Sequence, residues 1–578
     1  MMADGASISR NVIPETLDTR VASKKMDARK KRVAIVGAGP SGLAACKHAL
    51  AKGFRPVVFE SAAGVGGVWR RTLASTRLQT PASAYRFSDF PWPAPADAAS
   101  AEGLFPRHDQ VLEYLDAYAR RFGVLERVRF GCKVLGASYV GATEREVAAW
   151  ERWSGNGEAF GDGTGEWHLT VRHGDGGGES ESTQGNLLSS TCAHGLAQES
   201  CSSEFGASDE NQAVPKLPTF PHGRGPDAFR GRVLHSMEYS SMAHEDAAEL
   251  VRGKRVAVVG AGKSAMDTVA QCAEANGCRY PCTMVYRSAH WMVDPKVARH
   301  VKFFTFTSCR WTELMVQKPG EGFLLSLLAT MLSPLRWVAS KVTEAYYKRS
   351  IPMREHGMVP DCGFEQASLG WRLGILPEGF YDRVDEGGVE LRRCGSVGFC
   401  ADGLVLDAGG EGERVVGADV VILCTGFDID RPLRDVFASP WFSEMVASGD
   451  DGGGAVLPLY RHCVHPRIPQ MAVVGYAESG SSIYPYEMMA NWVAHLLDGA
   501  VRLPGVRDME RGVAEWARWG RWAQRSCGGF FLKSCVASVT TWYHDQLCRD
   551  MGYSPRRKDG LLAEWLQPYG PTDYAGIQ

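Results

Sequence analysis

Several features that would direct the reading elsewhere are missing from this chain of 578 residues. Its sixteen cysteines contain no CxxC pair and no zinc-ligand spacing, which argues against a disulfide scaffold, a redox dithiol or a metal site. They read as small buried side chains in a reducing compartment. Basic residues form no run longer than Arg29 to Arg32 and the formal net charge is −2, so no nucleic-acid partner is expected. The longest apolar run, residues 323–332, is too short for a bilayer and is closed by Ser333-Pro334 and Arg336. It predicts a core helix and no transmembrane segment. The first thirty residues lack the apolar block of a secretory signal, and Asp4, Glu15, Asp18 and Asp27 argue against a transit peptide. A cytoplasmic protein is expected, with residues 1–30 a disordered tail and Met26 an alternative start. Composition, at 44% hydrophobic and 22% charged, is that of a globular protein with room for two or three domains. It sets no oligomeric state.

What is present centres on residues 31–60, a complete dinucleotide-binding βαβ pattern. Residues 33–36 read as a buried strand, Gly37-Ala38-Gly39-Pro40-Ser41-Gly42 as the turn, 43–51 as a helix and 56–59 as a second parallel strand. Gly37 allows the sharp turn, Gly39 lets the backbone approach a pyrophosphate at the helix start, and Gly42 lets helix and strand pack closely. Glu60 follows Gly37 by 23 residues, where a carboxylate can accept from ribose hydroxyls and would repel a 2′-phosphate. FAD or NAD is therefore expected here, not NADP. Gly64-Val65-Gly66-Gly67-Val68-Trp69-Arg70 forms a second glycine-rich loop that could bring amides and an indole to the same ligand, or be a turn with a packing tryptophan.

Residues 78–81 and 87–93 read as an aromatic, proline-rich loop, 108–122 as a helix, and 128–140 and 167–171 as antiparallel strands. Residues 155–212 are rich in Gly, Ser, Glu and Asp and predict an irregular insert. After the proline-punctuated stretch 215–226, a second βαβ unit opens at Gly253. Its turn is Gly260-Ala261-Gly262-Lys263-Ser264-Ala265, and Arg287, not an acid, follows its second strand. A guanidinium beside Ser288 offers a fixed fork of donors to a 2′-phosphate, so NADPH is expected at this unit. Residues 302–347 read as helical, a candidate substrate wall or subunit contact. Residues 418–427 read as a buried strand ending in a small-residue turn, where the chain crosses back to the first unit, and 471–479 as a buried strand of that unit's sheet, followed by a helix over 487–498. The fold class is thus α/β: two Rossmann-like domains, the NADPH domain (226–415) inserted in the FAD domain (31–225 and 416–578).

Phe229-Arg230-Gly231-Arg232-Val233-Leu234-His235-Ser236-Met237-Glu238-Tyr239 fits FxGxxxHxxxY and resembles the identifying motif of flavin-containing monooxygenases. Gly66-Gly67-Val68-Trp69, Phe87-Ser88-Asp89-Phe90-Pro91, Leu423-Cys424-Thr425-Gly426-Phe427 and His465-Pro466 before Val474-Gly475-Tyr476 are similar to further family motifs, covering nearly the whole chain. Leu78-Gln79-Thr80-Pro81, Leu234-His235-Ser236-Met237-Glu238-Tyr239 and the closing Pro568-Tyr569-Gly570 with Asp573-Tyr574 look most like the plant members of the pipecolate N-hydroxylase type, which act in immunity. The resemblance implies FAD reduced by NADPH, dioxygen captured as a flavin hydroperoxide, and one oxygen passed to a small-molecule amine or thioether. It places Gln79, where many members carry Asn, and Thr80 beside the flavin, and His235 at the domain junction. Gly67, Val68, Trp69, Thr425 and Gly426 join the cofactor-binding set.

One departure stands out. The family has a buried strand ending in a small residue and Thr-Gly before the proline linker; here residues 186–212 show no such run, which predicts a flavin sheet one strand short or a marginal strand at Leu187-Leu188. Alternatives follow from the same residues. A Baeyer–Villiger enzyme usually closes the related motif with Trp-Pro, where Tyr239-Ser240 stands here. A disulfide reductase would need a cysteine pair after the first fold. An auxin-pathway monooxygenase shares both folds, and a non-catalytic relative would explain the missing strand.

Overall fold

Each glycine turn lies where a buried strand hands over to a helix. The computed structural model describes residues 32–93, 105–141, 143, 145, 165–174, 181–190, 214–294, 308–407, 412–428, 431–447, 457–480, 483–529, 531 and 534–577. In it β1 (Arg32–Val36), α1 (Pro40–Ala51) and β2 (Arg55–Phe59) form the first βαβ unit. β1 and β2 are parallel, with Val33 opposite Pro56 and Val36 opposite Phe59. Pro40 opens α1 at a position where its missing N–H costs nothing. Leu43, Ala44, Ala45, Cys46 and Ala49 bury the helix, and the small side chains let it lie close to the sheet.

β3 (Val128–Arg129), β4 (Cys132–Val140), β5 (Glu166–His173) and β6 (Glu181–Ser190) complete the order β3-β2-β1-β6-β5-β4. One expectation is corrected here and one decided. Residues 155–212 are not irregular throughout, because they contain β5 and β6; and of the two readings of the first sheet, one strand short or completed at Leu187-Leu188, the second is found. β6 sits beside β1, with Val33 opposite Asn186, Ala34 opposite Leu187, Ile35 opposite Leu188 and Val36 opposite Ser189. On its other edge it pairs in parallel with β19 (Met471–Val474), and its first half pairs antiparallel with β5. Leu187-Leu188 is thus the centre of a strand held by a ladder on both edges. Without it the inner edges of β1 and β19 would leave buried peptide groups without partners, a cost that outweighs modest apolar content. The proposed tail over 1–30, and 155–164, 175–180 and 191–212 of the insert, lie outside the described residues.

Between β6 and β19 the chain builds its second parallel sheet. Short β7 (Val214–Pro215) precedes β8 (Arg232–His235), β9 (Val256–Val259), α2 (Lys263–Asn276) and β10 (Cys282–Tyr286). β11 (Trp291–Val293) pairs with β12 (Leu373–Ile375), and β13 (Val389–Arg393) follows. A hairpin series, β14 (Ser396–Cys400), β15 (Gly403–Asp407) and β16 (Glu413–Gly417), leads to β17 (Val420–Leu423). The sheet order is β13-β10-β9-β17-β8, and β18 (Phe427–Asp428) pairs with β7 where the chain leaves the unit. The molecule is two Rossmann-like domains, the second inserted in the first. α4 (Ile483–Leu497), buried along its length, then packs on α1.

Residues 323–332 are not a core helix. They open α3 (Phe323–Ser350), which continues through Pro334 and leaves Phe323 80%, Leu324 78% and Met331 70% exposed. Proline cannot donate to the Thr330 carbonyl, but Ser333 Oγ does, at 2.8 Å, so the helix is not broken there.

Candidate active site at the junction of two nucleotide folds

At the first turn Gly37, at φ +95°, donates its N–H to the Phe59 carbonyl at 2.8 Å. The carboxylate of Glu60 is buried against this turn: Oε2 accepts from Ala38 N at 2.6 Å and Oε1 from Ala62 N at 2.8 Å. An acid 22 residues from Ala38 in sequence is therefore brought onto the loop itself. The second glycine loop closes over the first, Gly66 N donating to Ala38 O at 3.0 Å. Gly67, at φ +57°, faces Gly39: a Cβ on Gly67 would lie 3.0 Å from Gly39 Cα, and one on Gly39 3.7 Å from Gly67 Cα. Backbone meets backbone, and beside it start Pro40, Ser41 and Gly42, the buried first residues of α1. Trp69 is buried, and its indole N–H donates to the Tyr85 hydroxyl at 2.9 Å in the core. Val68, half-buried, stays at the loop surface.

The second turn repeats the geometry with different surroundings. Gly260, at φ +146°, donates to the Val285 carbonyl at 2.9 Å, and a Cβ there would collide with the Cys424 carbonyl. Gly262 caps α2, whose first residues Lys263, Ser264 and Ala265 are buried. The Lys263 ammonium turns inward to the Asp267 carboxylate one helical turn on, so this lysine presents its backbone, not its charge, to the turn. Burial holds the Asp267 carboxyl above its ordinary range against the pull of Lys263. Arg287 stands exposed directly after β10; its carbonyl accepts from Arg393 Nε at 3.2 Å, and its guanidinium has no partner among the described residues.

His235 ends β8 beside Leu423 of β17. Its Nδ1 accepts from Met237 N at 3.2 Å, capping the helix Ser236–Ser241, and its ring meets Phe427 edge-on at 5.2 Å. Burial, opposed by the Gly426 backbone, lowers the imidazole to about 4. It is neutral at physiological pH and caps a helix at the point where the chain crosses between domains. Thr425 Oγ1 donates to the Lys216 carbonyl at 2.6 Å, and Lys216 N donates back to Gly426 O at 2.9 Å. These two residues tie the outgoing strand to the returning one.

Gln79 and Thr80 bring in residues that carried no sequence signal. Gln79 Oε1 accepts from Ile375 N of β12 at 3.2 Å, and Thr80 Oγ1 donates to the Gly480 carbonyl at 2.9 Å. Gly374 fits closely against Met292 and Gln79, and Gly480 against the Trp371 ring. Trp371 is buried with φ +53°, a left-handed backbone unusual for a bulky side chain. Segments far apart in sequence thus meet at one apolar, amide-containing place. No local pattern could have flagged Trp371, Met292 or Ile375; the positive φ is visible only in the fold.

The Phe87-Ser88-Asp89-Phe90-Pro91 motif is architectural. Lys47 of α1 pairs with Asp89 at 2.7 Å and with Glu487 of α4 at 2.9 Å, while Ser88 N donates to Glu487 Oε2 at 2.7 Å. Burial raises the Glu487 carboxyl, but His48 and Lys47 more than offset this and hold it at about 2.

Comparison with known proteins agrees with this architecture. Residues 30–151 match the model of flavin-binding monooxygenase-like proteins, and residues 213–302 that of L-lysine 6-monooxygenase/L-ornithine 5-monooxygenase. The probable flavin-containing monooxygenase 1 of Arabidopsis thaliana is 34% identical over 96% of this chain and 98% of its own length. Among solved structures, a steroid monooxygenase bound to NADP is 18% identical, with a TM-score of 0.59 over 90% of this chain and 97% of that one. The S-allyl-L-cysteine S-oxygenase of Allium sativum is 17% identical, with a TM-score of 0.51 over 91% and 89%. With two glycine turns, an acid on the first and an arginine after the second, the chain belongs to the flavin-containing monooxygenase family, enzymes that use FAD, NADPH and dioxygen.

Proposed function

We propose that this enzyme transfers one oxygen atom to an amine nitrogen or a thioether sulfur of a small molecule. The observation that carries the reading is the junction around Gln79. Of the residues that meet there, Gln79, Thr80, Met292, Trp371, Gly374, Ile375 and Gly480, none is titratable, and the five bulkier ones are buried. A soft nucleophile needs no general base, only exclusion of water and a place to sit, which is what such a junction supplies.

Bound FAD supplies the redox and oxygen chemistry. In this proposal the bare backbone at Gly39 and Gly67 and the start of α1 at Pro40, Ser41 and Gly42 receive its pyrophosphate, and Glu60 receives a ribose. Gly262, Ser264 and the first turn of α2 receive the pyrophosphate of NADPH, and Arg287 its 2′-phosphate. Gln79 presents its amide beside the reacting face, held in place through Ile375. Neutral His235, Thr425 and Gly426 fix the angle between the domains.

Pipecolic acid, with a role in plant immunity, is the nitrogen substrate to try first, supported by the motifs at Gln79 and at the chain's end and by likeness to a plant relative. The closing motif supports it only through architecture: the Tyr569 hydroxyl donates to Glu564 at 2.7 Å, and Arg310 pairs with Glu564 at 2.5 Å and Asp545 at 2.6 Å. The test is mass analysis after turnover with NADPH of pipecolic acid, a tertiary amine, a thioether and a cyclic ketone. N- or S-oxygenated product supports the proposal; lactone alone, with no N- or S-product, would establish the Baeyer–Villiger alternative.

A further inference from the structure

The helix α3 is built inside out. Along Ser326, Ala329, Ser333, Arg336, Ser340, Glu344 and Tyr347 it turns a polar and small-residue stripe toward the protein. Arg336 on that stripe pairs with Glu365 at 2.9 Å and donates to the Met315 carbonyl at 2.7 Å, and Glu344 accepts from Phe364 N at 3.1 Å. The opposite face carries Phe323, Leu324, Leu327, Leu328, Met331, Leu335, Trp337, Val338, Val342 and Tyr346, each between 38% and 80% exposed. At 3.6 residues per turn these positions cover about 180° of the circumference. A second helix would cover only the narrower two-position seam of a coiled coil.

The charge distribution favours one occupant. Residues 323–335 contain no charged side chain, and Thr330 and Ser333 return their hydroxyls to the helix's own carbonyls at 2.8 Å each. The last ten residues hold Lys341, Lys348 and Arg349 against the single acid Glu344, with Tyr346 among them. A broad apolar face with basic and aromatic side chains toward its end matches the acyl–headgroup boundary of an anionic bilayer for a helix lying in its plane. Because contacts at Arg336 and Glu344 hold the other face along the protein body, the helix lies along a surface instead of crossing it.

We infer that α3 is a membrane-docking helix, seated in one leaflet of an anionic lipid bilayer with Leu324, Leu328, Met331 and Trp337 in the acyl boundary. This surface is separate from the oxygenation site, and its test does not depend on the substrate. The full-length flavoprotein is floated with vesicles of phosphatidylcholine and phosphatidylserine, alongside the triple variant Leu324→Glu, Leu328→Glu, Met331→Glu. The wild type should rise with the vesicles, and the variant should lose this at least about tenfold while keeping its flavin spectrum and NADPH oxidation. Wild-type protein left at the bottom, equal flotation of both proteins, or a vesicle-independent dimer abolished by the variant would overturn the inference; the last result would assign the face to a second copy of the chain. Should the variant lose its flavin, hydrogen exchange of residues 323–342 in the wild type decides. Protection on adding vesicles supports docking, and unchanged exchange contradicts it.

Discussion

The two glycine turns share a backbone path and differ in what surrounds it. At the first, a Cβ on Gly39 would make only ordinary contact with the protein, and an acid is already held by loop amides at Ala38 and Ala62. At the second, the space beside Gly260 is filled by the Cys424 carbonyl, and the charged residue, Arg287, is exposed and without a side-chain partner among the described residues. The same glycine pattern therefore serves two purposes. Gly260, the first glycine of its turn, keeps room for the protein's own chain, whereas Gly39, the second of its turn, meets only Gly67 at an ordinary 3.7 Å. The carboxylate is held by the loop's own amides, and the guanidinium is exposed, which is why we propose that it meets the nucleotide.

The largest effect that can break this comparison is expected at Gly260. Gly260→Ala adds backbone strain to a collision with Cys424, together on the order of 4 kcal/mol of lost stability, read as a lowered urea midpoint. Gly39→Ala should leave the stability of the flavin-free protein within about 1 kcal/mol and instead weaken flavin retention about tenfold or more, measured by absorbance after dialysis. Similar destabilisation in both flavin-free variants would remove the distinction between the first and second glycine positions.

Both turns were legible in the sequence because strand, glycine spacing and helix start are local requirements, and each charge could be placed by its distance from the turn. β6 was not legible. Its pairing with β1 and β19 is a property of backbone neighbours supplied from elsewhere in the chain, and Asn186 and Ser189 give no alternating or continuous apolar signal. α3 was misjudged for a related reason: apolar content shows that a helix must cover a face, but not whether this chain covers it. The junction at Gln79 was only half legible, since Ile375 and Gly480 reach it through backbone atoms, which no side-chain pattern reports.

A smaller effect sharpens the comparison through pH. Burial lowers His462 and His544 of the first domain to about 3, and neither ring has a hydrogen-bond partner among the described residues. His235 of the second is lowered to about 4. Unfolding frees each to bind a proton at its ordinary value near 6.5, so their contribution is complete above that pH and is lost as pH falls toward 4. Each contributes at most about 1.4 kcal/mol per pH unit in that window. Released-flavin fluorescence should therefore rise on acidification, and His544→Phe should flatten the rise. An unchanged profile would show that His544 does not report the acid response of the first domain.

We propose that Arg287 marks the second turn as the NADPH site, and anaerobic reduction of the bound flavin by NADPH and by NADH measures this most directly. In Arg287→Ala the concentration of NADPH needed for half-maximal rate should rise by about 10- to 150-fold, the loss of a charge-assisted bond worth about 1.5–3 kcal/mol. The value for NADH should stay within about twofold, because the ribose hydroxyl offers the guanidinium no charge to lose. Equal losses for the two nucleotides would contradict the account.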